Sequence, residues 1–143
     1  MNQATTIDTH DMDSGRTFSK ALLAGRIISI LLVLFMLFDG IGKLLRIEES
    51  VDGTIKLGYP DRLVIVLGVV LIIVTVLYAI PRTAILGAIL LTAYLGGATA
   101  TQVRVESMSF IFPILFGLLV WAGVYLRDCR LRALFSSRSS GRS

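Results

Sequence analysis

Between Arg62 and Arg82 the chain carries no charge, and Leu63–Ile80 is an unbroken run of eighteen apolar or weakly polar residues rich in Val and Ile. At helical rise such a run covers roughly 27 Å, the thickness of a bilayer's hydrocarbon layer. Its β-branched content does not argue for a strand, because a lone strand in lipid leaves its backbone N–H and C=O groups without partners. Three further runs of similar character, Ala21–Leu45, Thr83–Thr101 and Phe110–Leu126, make four helical spans in all.

Composition agrees with the pattern. The 143 residues are 55% hydrophobic and 17% charged, against about a quarter charged in an ordinary soluble domain. The net charge of +4 does not point to nucleic acid, since the basic residues stand at the ends of apolar runs and are not interleaved with aromatics on a soluble face. Residues 1–19 are polar, with Asp8, His10, Asp11 and Asp13, and are expected to be a disordered tail. Residues 20–134 form one membrane domain, and 135–143 a disordered Ser/Arg-rich end. The first run is too long for a signal-peptide core and lacks a small-residue cleavage pattern behind it, so it reads as an uncleaved span. Cys129, beyond the last run, has no second cysteine to pair with and reads as an interfacial spectator.

Lys and Arg counts set the expected orientation. One side holds Arg16, Lys20, Arg26, Arg82, Arg127, Arg130, Arg132, Arg138 and Arg142, and the other Lys43, Arg46, Lys56, Arg62 and Arg104. Nine against five predicts cytoplasmic termini and antiparallel neighbouring spans in an all-α four-helix bundle, with Trp121 and Tyr125 at a boundary. Arg26, in the inward half, reads as an anchor that snorkels to the cytoplasm.

Helices in lipid associate by close backbone approach, so small residues mark contact faces. The third span has Ala84, Ala88, Thr92, Gly96 and Ala100 at a spacing of four, with Gly97 on the adjoining row, which predicts that this helix is the centre of the bundle. Gly68, Thr75 and Ala79 on the second span and Gly117, Ala122 and Gly123 on the fourth are weaker candidates for facing surfaces.

The polar residues inside the spans need an account. Asp39 and Lys43 are four apart on the first span and fall on one face. A lone charge deep in a span costs about 2.5–3.5 kcal/mol on insertion scales, and Asp39 is too short to snorkel. The third span ends at the same outward level with Gln102 and Arg104, so Asp39, Lys43, Gln102 and Arg104 are expected to converge, with Tyr59 and Glu106 closing the cluster from above. Two readings stand: an ion-pair cluster that fixes helix register, or a ligand or proton site. The Arg46–Arg62 connection, with its Asp52-Gly53 turn, is long for a linker between adjacent spans, a length that a small folded cap or a mobile loop would use.

The elements Gly40-x-x-Lys43-Leu44, Leu57-Gly58-Tyr59-Pro60, Leu67-Gly68 and Tyr94-Leu95-Gly96-Gly97-Ala98, running into Val103-Arg104-Val105, resemble the DoxX-like family of small bacterial membrane proteins over about Ala21 to Leu134. The resemblance implies a four-helix membrane bundle in the bacterial cytoplasmic (inner) membrane. It also implies a link to membrane oxidoreductase complexes, since the family name comes from a subunit associated with a terminal quinol oxidase. Two departures matter. Similar members often have His where this chain has Gln102, and many have an acidic residue near Leu71, where this chain is apolar.

An independent redox enzyme is not expected. His10 is the one histidine, and the soft ligands that copper or iron–sulfur centres require are missing from the sequence. The chain is expected to have no catalytic residue, no metal and no resident cofactor, quinone being the one candidate, held by Lys43, Gln102 or Arg104. Beyond the lipid bilayer, the expected partners are other membrane proteins of a respiratory or redox complex. The leading reading is therefore an accessory or interaction subunit of such a complex. Direct binding of a quinone or another lipophilic ligand follows, then a small proton-coupled transporter in which Asp39 takes the place of an embedded glutamate.

Overall fold

A computed structural model describes the backbone of residues 4–137 and the side chains of residues 15–134. The helices are α1 (Ala4–Leu44), α2 (Glu48–Lys56), α3 (Asp61–Ala79), α4 (Ala84–Arg104), α5 (Ile111–Arg127) and α6 (Cys129–Ser137), with a 3₁₀ turn at Met108–Phe110 before α5. Four segments are long and apolar enough to cross a membrane: Gly15–Leu44, Asp61–Ala79, Ala84–Arg104 and Met108–Arg127. These are the four spans expected from the sequence, each shifted at its ends by a few residues except the first.

The first span differs most. α1 continues back to Ala4 through residues expected to be a disordered tail. Once a span has paid the nucleation cost, each further residue adds a hydrogen bond with little penalty, so a polar segment continues the helix that an apolar segment starts. At the other end α6 covers Cys129–Ser137, part of it also expected to be unstructured. It is held to α5 by Arg132, which donates from Nε to the Tyr125 carbonyl (3.2 Å) and from Nη2 to the Leu126 carbonyl (3.0 Å). The same guanidinium lies 5.3 Å from the Phe18 ring centroid of α1. The remainder of the expected Ser-rich end, 138–143, lies outside the described residues, as do residues 1–3.

α1 packs on α3 and α5, and α4 packs on α3 and α5, while α1 and α4 do not pack on each other. The spans thus form a ring in the order α1, α3, α4, α5, with α1 and α4 on opposite corners. This corrects the expectation that α4 is the centre. The physical reason lies in which small residues meet a neighbouring backbone. A Cβ on Gly68 would lie 2.9 Å from the Gly40 carbonyl and 2.9 Å from the Lys43 Cβ, and a Cβ on Gly87 would run into the Tyr78 backbone. A Cβ at Gly96 or Gly97 would meet nothing within 4 Å. On α4 the buried face is Ala84, Gly87, Ala88, Leu91 and Leu95. Thr92, Gly96, Gly97 and Ala100, expected as packing residues, are exposed, and only Ala84 and Ala88 of that stripe are buried. Thr92 still meets α5, through a hydrogen bond from Trp121 Nε1 (3.0 Å).

The core of the bundle holds Leu32, Met36, Leu71, Val74, Tyr78, Ala88, Leu91, Leu95, Val120 and Val124. The outside is apolar too, with Leu31, Phe38, Val66, Ile73, Leu86, Ile89 and Leu118 exposed. A water-soluble surface does not carry an apolar belt of this size, whereas lipid requires one.

The two ends of the ring are built differently. At the α6 end, α3 stops because Pro81 has no N–H to give the Leu77 carbonyl. Thr83 Oγ1 donates to that carbonyl instead (2.8 Å), and Arg127 Nη2 donates to the next one, Tyr78 O (2.6 Å). Unpaired carbonyls in or near hydrocarbon cost several kcal/mol each, so these two side chains complete the helix end. The Tyr78 side chain, fully buried, links three helices: its hydroxyl donates to the Val120 carbonyl (3.1 Å) and shares a hydrogen bond with Ser29 Oγ (3.3 Å). Gly123 leaves the room for this, since a Cβ there would lie 2.6 Å from the Tyr78 hydroxyl.

At the α2 end, α1 and α4 close in the same way. Arg46 and Glu106 take left-handed backbone conformations, each with φ of 54°. Ile47 N then donates to Gly42 O (3.0 Å), and Ser107 N to Gln102 O (3.0 Å), the six-to-one bond of a Schellman cap.

Candidate functional site

The α2 end holds an open-sided cavity of about 1090 Å³. α1 contributes Phe35, Met36, Asp39 and Lys43, and α4 contributes Tyr94, Gly97 and Gln102 from the opposite corner of the ring. Phe112, Pro113 and Phe116 of α5 complete the wall, and α2 with the following loop, through Ser50, Thr54, Leu57 and Tyr59, forms the cover. The cavity exists because α1 and α4 do not touch and α4 presents Gly97 where a larger side chain would fill space.

Lys43 Nζ donates to Asp39 Oδ2 at 2.5 Å. The Lys43 side chain is 12% exposed, its stem packed against the backbone at Gly68, while Asp39 is 38% exposed. Pairing meets the need set by the insertion cost of each charge. Both side chains line the cavity, and the carboxylate is the more open of the two. Phe35 and Phe116 stack with ring centroids 4.7 Å apart and an interplanar angle of 20°, joining α1 to α5 across the cavity wall. Tyr94, half-buried on α4, lines the same cavity as Asp39 and Tyr59.

Gln102 has the least satisfied group in the site. Its Oε1 is buried and has no hydrogen-bond partner. A buried amide oxygen without a donor costs about 1–3 kcal/mol. Gln102 lines the cavity, so a donor on a molecule within the cavity would complete it.

Tyr59 is placed by the loop. Its hydroxyl shares a hydrogen bond with Thr101 Oγ1 (3.0 Å), and Arg104 Nη2 donates to the Leu57 carbonyl (3.3 Å). Between these anchors Gly58 has φ of 88°, and a Cβ on it would lie 2.8 Å from Arg104 Nη2. The Leu57-Gly58-Tyr59-Pro60 element is therefore the joint that docks the cover on the end of α4. A second strap holds its base: Arg46 Nη2 contacts both carboxylate oxygens of Asp61 at 2.6 Å.

Of the six residues expected to cluster, Asp39, Lys43, Tyr59 and Gln102 line one cavity, while Arg104 and Glu106 do not. Arg104 is turned to the loop carbonyl, and Glu106 is an exposed residue whose backbone ends α4. Sequence reasoning missed Tyr94 and the three phenylalanines, which in a lipid-embedded sequence look like ordinary apolar filling. The phenol of Tyr94, midway along a span, was the available signal. It also missed the Tyr78–Ser29–Arg127 network at the far end. Among the described residues no group of three His, Cys, Asp or Glu side chains is placed to hold a metal ion.

Four long apolar helices packed in a ring with an apolar outer belt define a multi-span helical membrane protein. The family model for the DoxX-like family matches residues 27–123, and the chain belongs to that family. No match is found among curated proteins or among solved structures.

Proposed function

We propose that this protein sits in the bacterial inner membrane with antiparallel neighbouring spans and both termini in the cytoplasm, and that its outward cavity binds a lipophilic molecule with a hydrogen-bonding headgroup. The antiparallel reading is supported by contact register: Gly25 meets Leu126 and Gly123 meets Ser29, while Gly40 meets Ile72 and Ser29 meets Tyr78. The inward assignment of the termini rests on the excess of Lys and Arg at the α6 end.

The observation that carries the ligand reading is the buried, partnerless Gln102 Oε1 in the wall of an aromatic-lined cavity. A quinol hydroxyl supplies the donor it needs. Rotation of the amide about its last torsion presents the NH₂ to a quinone carbonyl instead, so one residue serves both redox forms. Phe35, Phe112, Phe116 and Tyr94 provide faces on which an aromatic ring stacks. The protein brings no redox centre of its own to this reading. It acts as an accessory subunit that holds the lipophilic molecule for a larger membrane complex.

Thermal unfolding of the purified protein in mild detergent tests this with decylubiquinone and its reduced form as probes. Both raise the melting temperature of the natural protein, and Gln102→Leu removes the shift while leaving the unliganded melting temperature equal or higher. An absent shift at saturating quinone, or an undiminished one in Gln102→Leu, overturns the reading.

A further inference from the structure

We infer a second binding site, at the opposite end of the bundle, for one phospholipid with a net-negative headgroup. Arg26, Ser29, Ile30, Val33 and Leu34 of α1 line a groove of about 190 Å³ with Ala79 of α3 and Arg127 of α5. The groove has two parts. Its mouth holds two guanidiniums, and no Asp or Glu is among its lining residues. Its floor is aliphatic.

The depth of these residues fits a lipid. α3 ends at Ala79 and α5 at Arg127, and Gly25 abuts Leu126, so Arg26 lies level with two helix ends, where headgroups begin. Ile30, Val33 and Leu34 follow on the same face of α1, roughly 6–12 Å deeper at helical rise. A phosphate at the mouth thus leaves an acyl chain lying along the aliphatic floor.

The two cations are unequal. Arg127 is held by its bond to Tyr78 O and by its position 4.9 Å from the Tyr78 ring centroid, which fixes the plane of the guanidinium and leaves other N–H groups for a ligand. Arg26 is exposed and has no hydrogen-bond or ion-pair partner among the described residues. A fixed cation beside a free one is suited to close on a phosphate oxygen pair, as guanidinium forks do. Both lie outside residues 27–123, the segment that matches the family. The site is separate from the cavity at the α2 end and does not depend on what that cavity holds.

The test uses delipidated full-length protein in detergent, titrated with phosphatidylglycerol, phosphatidylcholine or glycerol 3-phosphate, and followed by thermal unfolding and native mass spectrometry. Phosphatidylglycerol stabilises the natural protein and one molecule stays bound in the mass spectrum, whereas phosphatidylcholine and acyl-free glycerol 3-phosphate give little shift. Arg26→Gln weakens phosphatidylglycerol about five-fold, the effect of one interfacial cation. Ile30→Trp, on an exposed position, blocks the floor and abolishes retention while leaving the lipid-free melting temperature unchanged. Equal stabilisation by phosphatidylcholine overturns the headgroup assignment. Equal stabilisation by glycerol 3-phosphate reduces the site to a free-phosphate site and overturns the lipid. Unchanged phosphatidylglycerol binding in both variants overturns the location.

Discussion

Replacing Gly68 by Ala adds one methyl group where α3 crosses close to α1. The new Cβ would lie 2.9 Å from the Gly40 carbonyl oxygen, 2.9 Å from the Lys43 Cβ and 3.4 Å from the Leu44 nitrogen. The first of these is roughly 0.4–0.7 Å inside the C···O approach of about 3.3–3.6 Å tolerated between packed backbones. Two of the three neighbours are backbone atoms, which cannot rotate away as a side-chain end can. The helices must part, and overpacking of this kind costs about 1–3 kcal/mol. Gly96→Ala is the control, because its Cβ meets nothing within 4 Å, and its expected effect is within about 0.5 kcal/mol. Reversible unfolding in mixed detergent micelles measures both. A destabilising Gly96→Ala beside a silent Gly68→Ala would refute the reasoning and restore the α4 stripe as the packing seam.

Other expectations follow from the same contacts. Arg127→Met leaves the Tyr78 carbonyl without its donor and lowers stability by about 1.5–3 kcal/mol in the same unfolding assay. Arg127→Lys recovers only part of that, since an ammonium cannot lie flat on the ring. Gly58→Ala, at φ of 88° and against Arg104, costs about 1–2 kcal/mol and shows as faster proteolysis between α2 and α3. Glu106→Gly relieves a left-handed backbone at φ of 54° and raises stability by up to about 1 kcal/mol, with quinone binding intact. Loss of that binding would mean Glu106 belongs to the site after all. Asp61→Asn removes a half-exposed ion pair with Arg46 and changes stability by less than about 1 kcal/mol, an effect that high salt reproduces in the natural protein.

The spans were legible because hydrocarbon imposes one requirement on every residue it touches, and a charge-free run such as Leu63–Ile80 reports it directly. The Asp39–Lys43 pair was legible for a related reason: two charges four residues apart on one helix leave few ways to satisfy each other. Helix order was not legible. The small-residue stripe of α4 and the single Gly68 of α3 look alike as sequence, and only the partner helix decides which one meets a backbone. Arg104 and Glu106 were misplaced because their tasks belong to the backbone, a carbonyl to satisfy and a left-handed turn to close. The α6 end was hidden for the same reason, as the role of Arg127 follows from a carbonyl that α3 cannot satisfy by itself.

Labelling with a membrane-impermeant maleimide tests the central claim, that the cavity end and the arginine-capped end of the ring lie on opposite sides of the bilayer. Cys129 is the exposed native reporter for the α6 end, and Ser107→Cys on a Cys129→Ser background reports on the cavity end. In intact spheroplasts Ser107→Cys is labelled and Cys129 reacts only after permeabilisation. Labelling of both from the same side, before permeabilisation, would contradict the account.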